Sequence, residues 1–161
     1  MPDGPIIDLA AVPRAEHERL MRLAIAQALG NPAFPFGAVI VRHQDGTVLA
    51  EAVNQGHRVP ILHGEIAAIL AYAERHGNRG WAETVLYTTG EPCPMCMSAI
   101  IWAGIGGVVW ATSIATLQRL GFDQIEMGSP AVAASASFWH GGMLGGVLAE
   151  ETDRLFAQRP R

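Results

Sequence analysis

Two short stretches, His63-Gly64-Glu65 and Pro92-Cys93-Pro94-Met95-Cys96, constrain this chain more than anything else in it. Together they describe a metal site. Cys93 and Cys96 are three apart, so at the start of a helix both sulfurs fall on one face. A helix N-terminus favours negative charge, which lowers thiol pKa and supplies thiolate ligands. His63 is the third ligand. The chain has 2 cysteines, which excludes a site closed by four sulfurs. Three protein ligands leave the fourth tetrahedral position to water, the mark of catalytic rather than structural zinc. A zinc ion so held lowers the pKa of its water toward neutrality. Glu65 reaches the same pocket from the first helical turn without binding metal, and there it can take and return protons. Two other readings stay open on the residues alone. Cys-x-x-Cys spacing also fits a redox dithiol, although His-x-Glu would then have no role. His57 could close a structural zinc site as a fourth ligand.

Helices and strands alternate along the chain. Residues 13–29 have helical periodicity, with Pro13 suited to the first turn and Gly30-Asn31-Pro32 as a stop. Phe36 to Arg42 is an apolar run that suits a buried strand. Asp45-Gly46 is a hairpin signal, and Thr47 to Val53 is the antiparallel partner. Residues 54–62 form a loop that delivers His63. A helix is expected over 63–76, a strand over 84–89 and a helix over 93–103. The strand over 108–112 is reached by crossover and is therefore parallel to the one before. A short strand over 143–147 and a helix over 148–158 close the chain, while no periodicity assigns 113–140. The pattern predicts an α/β fold: a three-layer α/β/α sandwich around a central mixed five-stranded sheet, with residues 1–161 as one domain. His17, His43 and His76 are expected at the surface. Trp102 is expected in the core, and Phe138, Trp139 and His140 either in the core or along a pocket.

Composition narrows the function classes. At 50% hydrophobic residues, the chain is not disordered. A net charge of −4, from 11 basic and 15 acidic residues, argues against a broad nucleic-acid surface. Two cysteines at metal spacing suit a reducing compartment, and the localisation expected is cytoplasmic. Pro2, Asp3, Pro5 and Asp8 contradict a signal peptide. Residues 97–117 carry no charge, but Gly104, Gly106 and Gly107 interrupt them, which predicts a helix and a buried strand rather than a membrane span. The apolar excess on the third helix and after Gly121 predicts a homodimer.

His-x-Glu followed by Pro-Cys-x-x-Cys is the signature of zinc deaminases acting on nucleobases. The chain resembles the cytidine deaminase-like superfamily, in the branch holding guanine deaminases, fungal-type cytosine deaminases and tRNA adenosine deaminases. Residues 36–123 carry the resemblance: Pro-Phe-Gly-Ala-Val-Ile-Val at 35–41, Asn54, His-Gly-Glu at 63–65, Leu-Tyr-Thr-Thr at 86–89, Glu-Pro-Cys-Pro-Met-Cys at 91–96, Ala-Ile-Ile-Trp-Ala at 99–103 and Gly-Phe-Asp at 121–123. It implies one Zn2+ per chain on His63, Cys93 and Cys96, with Glu65 as the catalytic acid–base. It also implies a set of substrate contacts. The Gly64 N–H faces a substrate acceptor, the Glu91 carbonyl accepts from the exocyclic amine, Asn54 holds the base or sugar edge, and Phe36 and Gln124 border the substrate. The segment between Asn54 and His63 is slightly shorter than in the family, which loosens the carry-over of Asn54.

Three functions from different classes are compatible with these residues. In the first, zinc-bound hydroxide attacks the ring carbon of a small base, nucleoside or related amino-heterocycle, and ammonia leaves. In the second, the same chemistry acts on tRNA adenosine, with Arg14, Arg19 and Arg22 or Arg154, Arg159 and Arg161 meeting phosphates. In the third, a zinc-binding interaction module needs no Glu65. Gly121-Phe122-Asp123 resembles guanine deaminases, in which an acidic residue comes next; here Gln124 stands there. A carboxylate only accepts, whereas an amide both donates and accepts, so Gln124 should serve guanine's N–H edge less well.

Overall fold

The computed structural model describes residues 6–160; Pro2, Asp3, Pro5 and Arg161 lie outside them. A 3-10 turn at Leu9–Ala11 precedes α1 (Arg14–Ala28). The hairpin of β1 (Gly37–Arg42) and β2 (Val48–Val53) leads to α2 (Gly64–His76). Next come β3 (Thr84–Gly90), α3 (Pro94–Ala103) and β4 (Gly107–Thr112). The chain continues through α4 (Ile114–Arg119), α5 (Ser129–Ala134), β5 (Gly142–Leu144) and α6 (Ala149–Ala157). The five strands form one sheet in the order β2-β1-β3-β4-β5. β1 runs antiparallel to β2 and β3, while β3, β4 and β5 are parallel. This is the mixed five-stranded sheet expected.

Side chains of a strand alternate between faces, and here both faces are covered. Val39, Val41, Val85, Tyr87, Val109 and Ala111 pack with Leu20, Met21 and Ala24 of α1. Ala38, Ile40, Leu86, Val108 and Trp110 pack with Ala68 and Tyr72 of α2 and Met97, Ile100 and Ile101 of α3. The strands therefore read as continuous apolar runs. α2 and α3 share one face, and each begins at the same end of the sheet, where β3 hands over to the Glu91–Cys93 turn. Open α/β sheets place their ligands at such carboxyl ends of parallel strands.

Several expectations need correction. His17 is buried, not exposed: its Nδ1 lies 2.8 Å from the Tyr87 hydroxyl and its Nε2 2.8 Å from the Leu9 carbonyl. It sits one helical turn before Leu20 and Met21 and shares their inward face. Trp102 is 78% exposed rather than in the core. α3 is uncharged on every side, so no polar stripe marks its outer face. Phe138, Trp139 and His140 line a shallow apolar groove together with Trp102, and the Trp139 indole N–H donates to the Ile105 carbonyl at 2.8 Å. The last strand is Gly142–Leu144, shorter and earlier than expected. Residues 113–140, unassigned by pattern, hold the two short helices α4 and α5. The uncharged stretch 97–117 divides into α3 and β4, as expected, and no helix of the described residues is long and apolar enough to cross a membrane.

Candidate active site

His63 and Cys93 are the N-caps of α2 and α3, so each helix begins one residue later than expected from pattern. Both have extended backbones, and neither side chain makes a capping hydrogen bond. Both are thus free to point at a shared centre, while two positive helix ends converge behind them. Pro94, just inside α3, has its missing N–H where no partner was needed. Cys96 lies one turn further in and is fully buried.

The His63 Nδ1 lies 3.6 Å from both Cys93 Sγ and Cys96 Sγ. All three donor atoms fall within 4.8 Å of one another. Zinc bonds of about 2.3 Å to sulfur and about 2.0 Å to nitrogen at a tetrahedral angle put N and S about 3.5 Å apart. Donor chemistry and spacing therefore fit a zinc ion with one position left open. His57, exposed in the loop, is not part of the cluster, so the four-ligand structural alternative falls away.

Protonation is set by the same proximity. Cys93 is lowered to about 4, chiefly because the Cys96 thiol hydrogen-bonds to it, aided by His63. Cys96 is pushed well up, by that same bond to Cys93 and by burial. His63 is raised, first by its bond to Cys93. The pair behaves as one thiolate and one thiol sharing a proton, which a divalent cation would displace.

Glu65 is 3% exposed, and Thr88 Oγ1 of β3 donates to its Oε1 at 2.8 Å. Burial raises its carboxyl pKa above the ordinary carboxylate value, and the charge of Cys93 raises it further. Between His63 and Glu65 stands Gly64, where a Cβ would meet the Phe36 carbonyl oxygen at 2.4 Å. That carbonyl is held in place by the Asn54 N–H at 2.9 Å. Glycine therefore lets α2 begin against the edge of β1, which brings Phe36 and Asn54 beside the metal centre.

A cavity of about 260 Å³ opens over these groups. His63, Glu65, Glu91 and Cys93 form its base, and Phe36, Asn54 and Gln124 border it, so every side chain assigned from sequence except buried Cys96 lines one space. Asn54 acts as a turn residue as well: its Oδ1 accepts from the Gly56 N–H at 2.9 Å. The Glu91 carboxylate is committed elsewhere. Its oxygens accept from the Ile114 N–H at 3.0 Å and the Ser129 N–H at 2.7 Å, tying α4 and α5 to the turn before Cys93. Gln124 Oε1 is buried with no hydrogen-bond partner.

Sequence reading missed Phe34 and Phe122 and placed Arg159 elsewhere; all three line the cavity. Phe122 arrives by a glycine turn. Gly121 has φ +90°. Its N–H donates to the Gln118 carbonyl at 3.0 Å, and the Phe122 N–H donates to the Leu117 carbonyl at 3.0 Å. That pattern ends α4 and drops Phe122 onto Leu117 and Phe156. Gly121 after a short apolar segment was the available signal.

Residues 14–112 match the family described as the cytidine and deoxycytidylate deaminase zinc-binding region. The guanine deaminase of Bacillus subtilis is 33% identical over 133 residues, covering 76% of this chain and 84% of that protein. The tRNA-specific adenosine deaminase of Haemophilus influenzae is 31% identical over 157 residues, covering 90% of this chain and 83% of that one. The solved structure of a guanine deaminase from Nitrosomonas europaea superposes with a TM-score of 0.72 at 22% identity, over 96% of this chain and 86% of that one, a likeness of fold. With the His-Cys-Cys donors brought together at the spacing zinc requires, the match over 14–112 makes this chain a member of the zinc-binding cytidine and deoxycytidylate deaminase family.

Proposed function

We propose that the protein deaminates a small amino-substituted base, nucleoside or related heterocycle, guanine- or cytosine-like. The observation that carries this reading is the His63, Cys93 and Cys96 donor cluster with Glu65 beside it, under a cavity of about 260 Å³. That volume lies below the range of about 300–1,000 Å³ that drug-sized ligands occupy. His63, Cys93 and Cys96 would hold the metal, one zinc per chain. Bound there, zinc supplies a Lewis acid that makes water a nucleophile near neutral pH.

The chain's own groups do the rest. Glu65 takes one proton from the attacking water and delivers it to a ring nitrogen, then takes the second from the resulting hydroxyl and delivers it to the amino group, which leaves as ammonia as the ring C=O forms. The Gly64 N–H, which α2 leaves without an intrahelical acceptor, is offered to a substrate acceptor. The Glu91 carbonyl accepts from the exocyclic amine, Asn54 holds the opposite edge, and Phe36 gives the ring an apolar wall. Ligands that must remain thiolates suit a reducing compartment such as the cytoplasm.

The tRNA reading is the weaker one. Arg14, Arg19 and Arg22 pair with Glu18, Glu16 and Glu151 at 3.2, 2.8 and 2.6 Å. Arg154 lies 3.9 Å from Glu150, and Arg159 faces the cavity. The candidate phosphate contacts are largely neutralised.

Ammonia release over guanine, cytosine, isocytosine, adenine, their nucleosides, and aminated triazines and pterins tests the reading. Turnover of at least one free base or nucleoside is expected, with Gln124→Asp raising guanine relative to the best native substrate. An unchanged ratio would remove Gln124 from the recognising edge, and activity on tRNA alone would overturn the small-substrate reading. We infer as well that a second copy of the chain covers the outer faces of α2 and α3, where Leu70 is 57% and Trp102 78% exposed. Light scattering should give a dimer; a monomer of 17.2 kDa at micromolar concentration would refute it.

A further inference from the structure

Arg159, just past the end of α6, stands on the rim of the active-site cavity. Its guanidinium carbon lies 3.5 Å from the centre of the Phe122 ring and 5.7 Å from that of Phe34. Its Nη2 donates to the Gly121 carbonyl at 3.3 Å. Other arginines of the chain, Arg14, Arg19, Arg22 and Arg42 among them, sit within 4 Å of a carboxylate. No carboxylate of the described residues stands so close to Arg159.

Two of the acids lining the cavity are already committed, Glu91 to Ile114 and Ser129 and Glu65 to Thr88. The third, Asp123, is exposed to water and beyond 4 Å from the guanidinium. The Phe122 ring, its centre 3.5 Å from the guanidinium carbon, covers one side of the cation and removes part of its water. Its remaining N–H groups form a planar fork, which a two-oxygen acceptor meets side by side. A partly desolvated cation with no counter-ion among the described residues, at the mouth of a substrate cavity, draws its counter-ion from what enters.

We propose that Arg159 selects amino-heterocycles carrying an anionic group, a carboxylate or a phosphate ester, on the part that reaches Phe34 and Phe122. The proposal rests on the deaminase reading above and narrows its substrate class. The contrasting role is a plain staple, in which Arg159 only ties the chain end to the Gly121 turn. A staple affects every substrate alike; a selecting residue affects one member of a pair.

The test uses zinc-loaded protein and matched pairs that differ in one charge: guanosine and its 5′-monophosphate, cytidine and its 5′-monophosphate, pterin and pterin-6-carboxylate. The kcat/KM for ammonia release and the calorimetric Kd are measured for each member with wild type, Arg159→Met and Arg159→Lys. In at least one pair the anionic member should be favoured by at least about tenfold, the low end for a hydrogen bond to a charged group. Arg159→Met should bring that ratio near unity, and Arg159→Lys should keep part of it. The nucleotide and carboxylate pairs distinguish phosphate from carboxylate as the native group. Neutral members equal or better in every pair would overturn the proposal, as would a Met variant that shifts both members equally. Ammonia release without an anion preference defeats this inference alone. An Arg159-dependent binding preference with no ammonia from any member defeats the deaminase reading alone.

Discussion

Glu65→Gln is expected to lower turnover at least about a hundredfold, the low end for a general acid–base group, while substrate affinity stays largely intact. The variant is chosen because of how Glu65 is held. Its carboxyl is buried, and Thr88 Oγ1 donates to Oε1 at 2.8 Å. A glutamine keeps the length and leaves an amide oxygen to accept from the same hydroxyl, so the start of α2 has no reason to move. The site that can both take and release a proton disappears. His63, two residues away, keeps its place as the N-cap of α2, so zinc content should remain at one per chain and separates a chemical loss from a structural one. Every substrate should suffer by a similar factor, because proton transfer is common to all aminated rings. This distinguishes Glu65 from Gln124, whose replacement should change the ratio between substrates more than the total. Turnover within tenfold of wild type in a zinc-replete Glu65→Gln protein would exclude the proton-transfer role and revive the non-enzymatic zinc module.

The metal centre is legible in the sequence because short-range rules write it. His63 and Cys93 each sit at a helix start, marked for α2 by the apolar period of residues 66–71 and for α3 by Pro94, and Cys96 lies one turn beyond Cys93. The sheet is legible for a similar reason, since long apolar runs such as 37–41 and 107–111 have no stable place except between two helical layers. Elsewhere the pattern holds less information. α4 and α5 are 6 residues each, too short for a 3.6-residue period to show, and only their punctuation was readable. The Ser113 side chain accepts from the Thr116 N–H, Gly121 stops α4, and Pro130 opens α5. His17 lies between Glu16 and Glu18, so its neighbours suggest a surface; its spacing from Leu20, Met21 and Ala24 was the better guide. The cavity wall was out of reach. Phe34, Phe122 and Arg159 are brought together by the packing of three separate loop ends, and no local rule relates them.

Stripping the metal with a chelator should abolish activity and lower the melting temperature, both restored by added zinc. Free zinc at a hundred times its dissociation constant stabilises the folded chain by about 2.7 kcal/mol. A domain of this size shifts by about 2–4 °C per kcal/mol, so the fall should be roughly 5–11 °C. The local chemistry supports a loss of this kind. Cys96 is fully buried, and Cys93 and His63 lie at the ends of two helices that otherwise meet only through their side-chain packing. Without a cation, the three groups satisfy one another by sharing protons, Cys93 as the thiolate and Cys96 as the thiol that donates to it. Metal binding must displace the Cys96 proton, whose folded pKa is raised, and the proton on His63, also raised. Zinc affinity should therefore rise with pH and weaken as pH falls, because protons compete for the same donor atoms. Cys93→Ala removes one ligand and leaves Cys96 and His63 unable to complete the site. That variant should lose zinc and activity together and should melt close to the chelated wild type, with no further response to chelator. Full zinc stoichiometry in Cys93→Ala, or a wild-type melting temperature that chelation does not move, would show that these three residues are not what holds the metal.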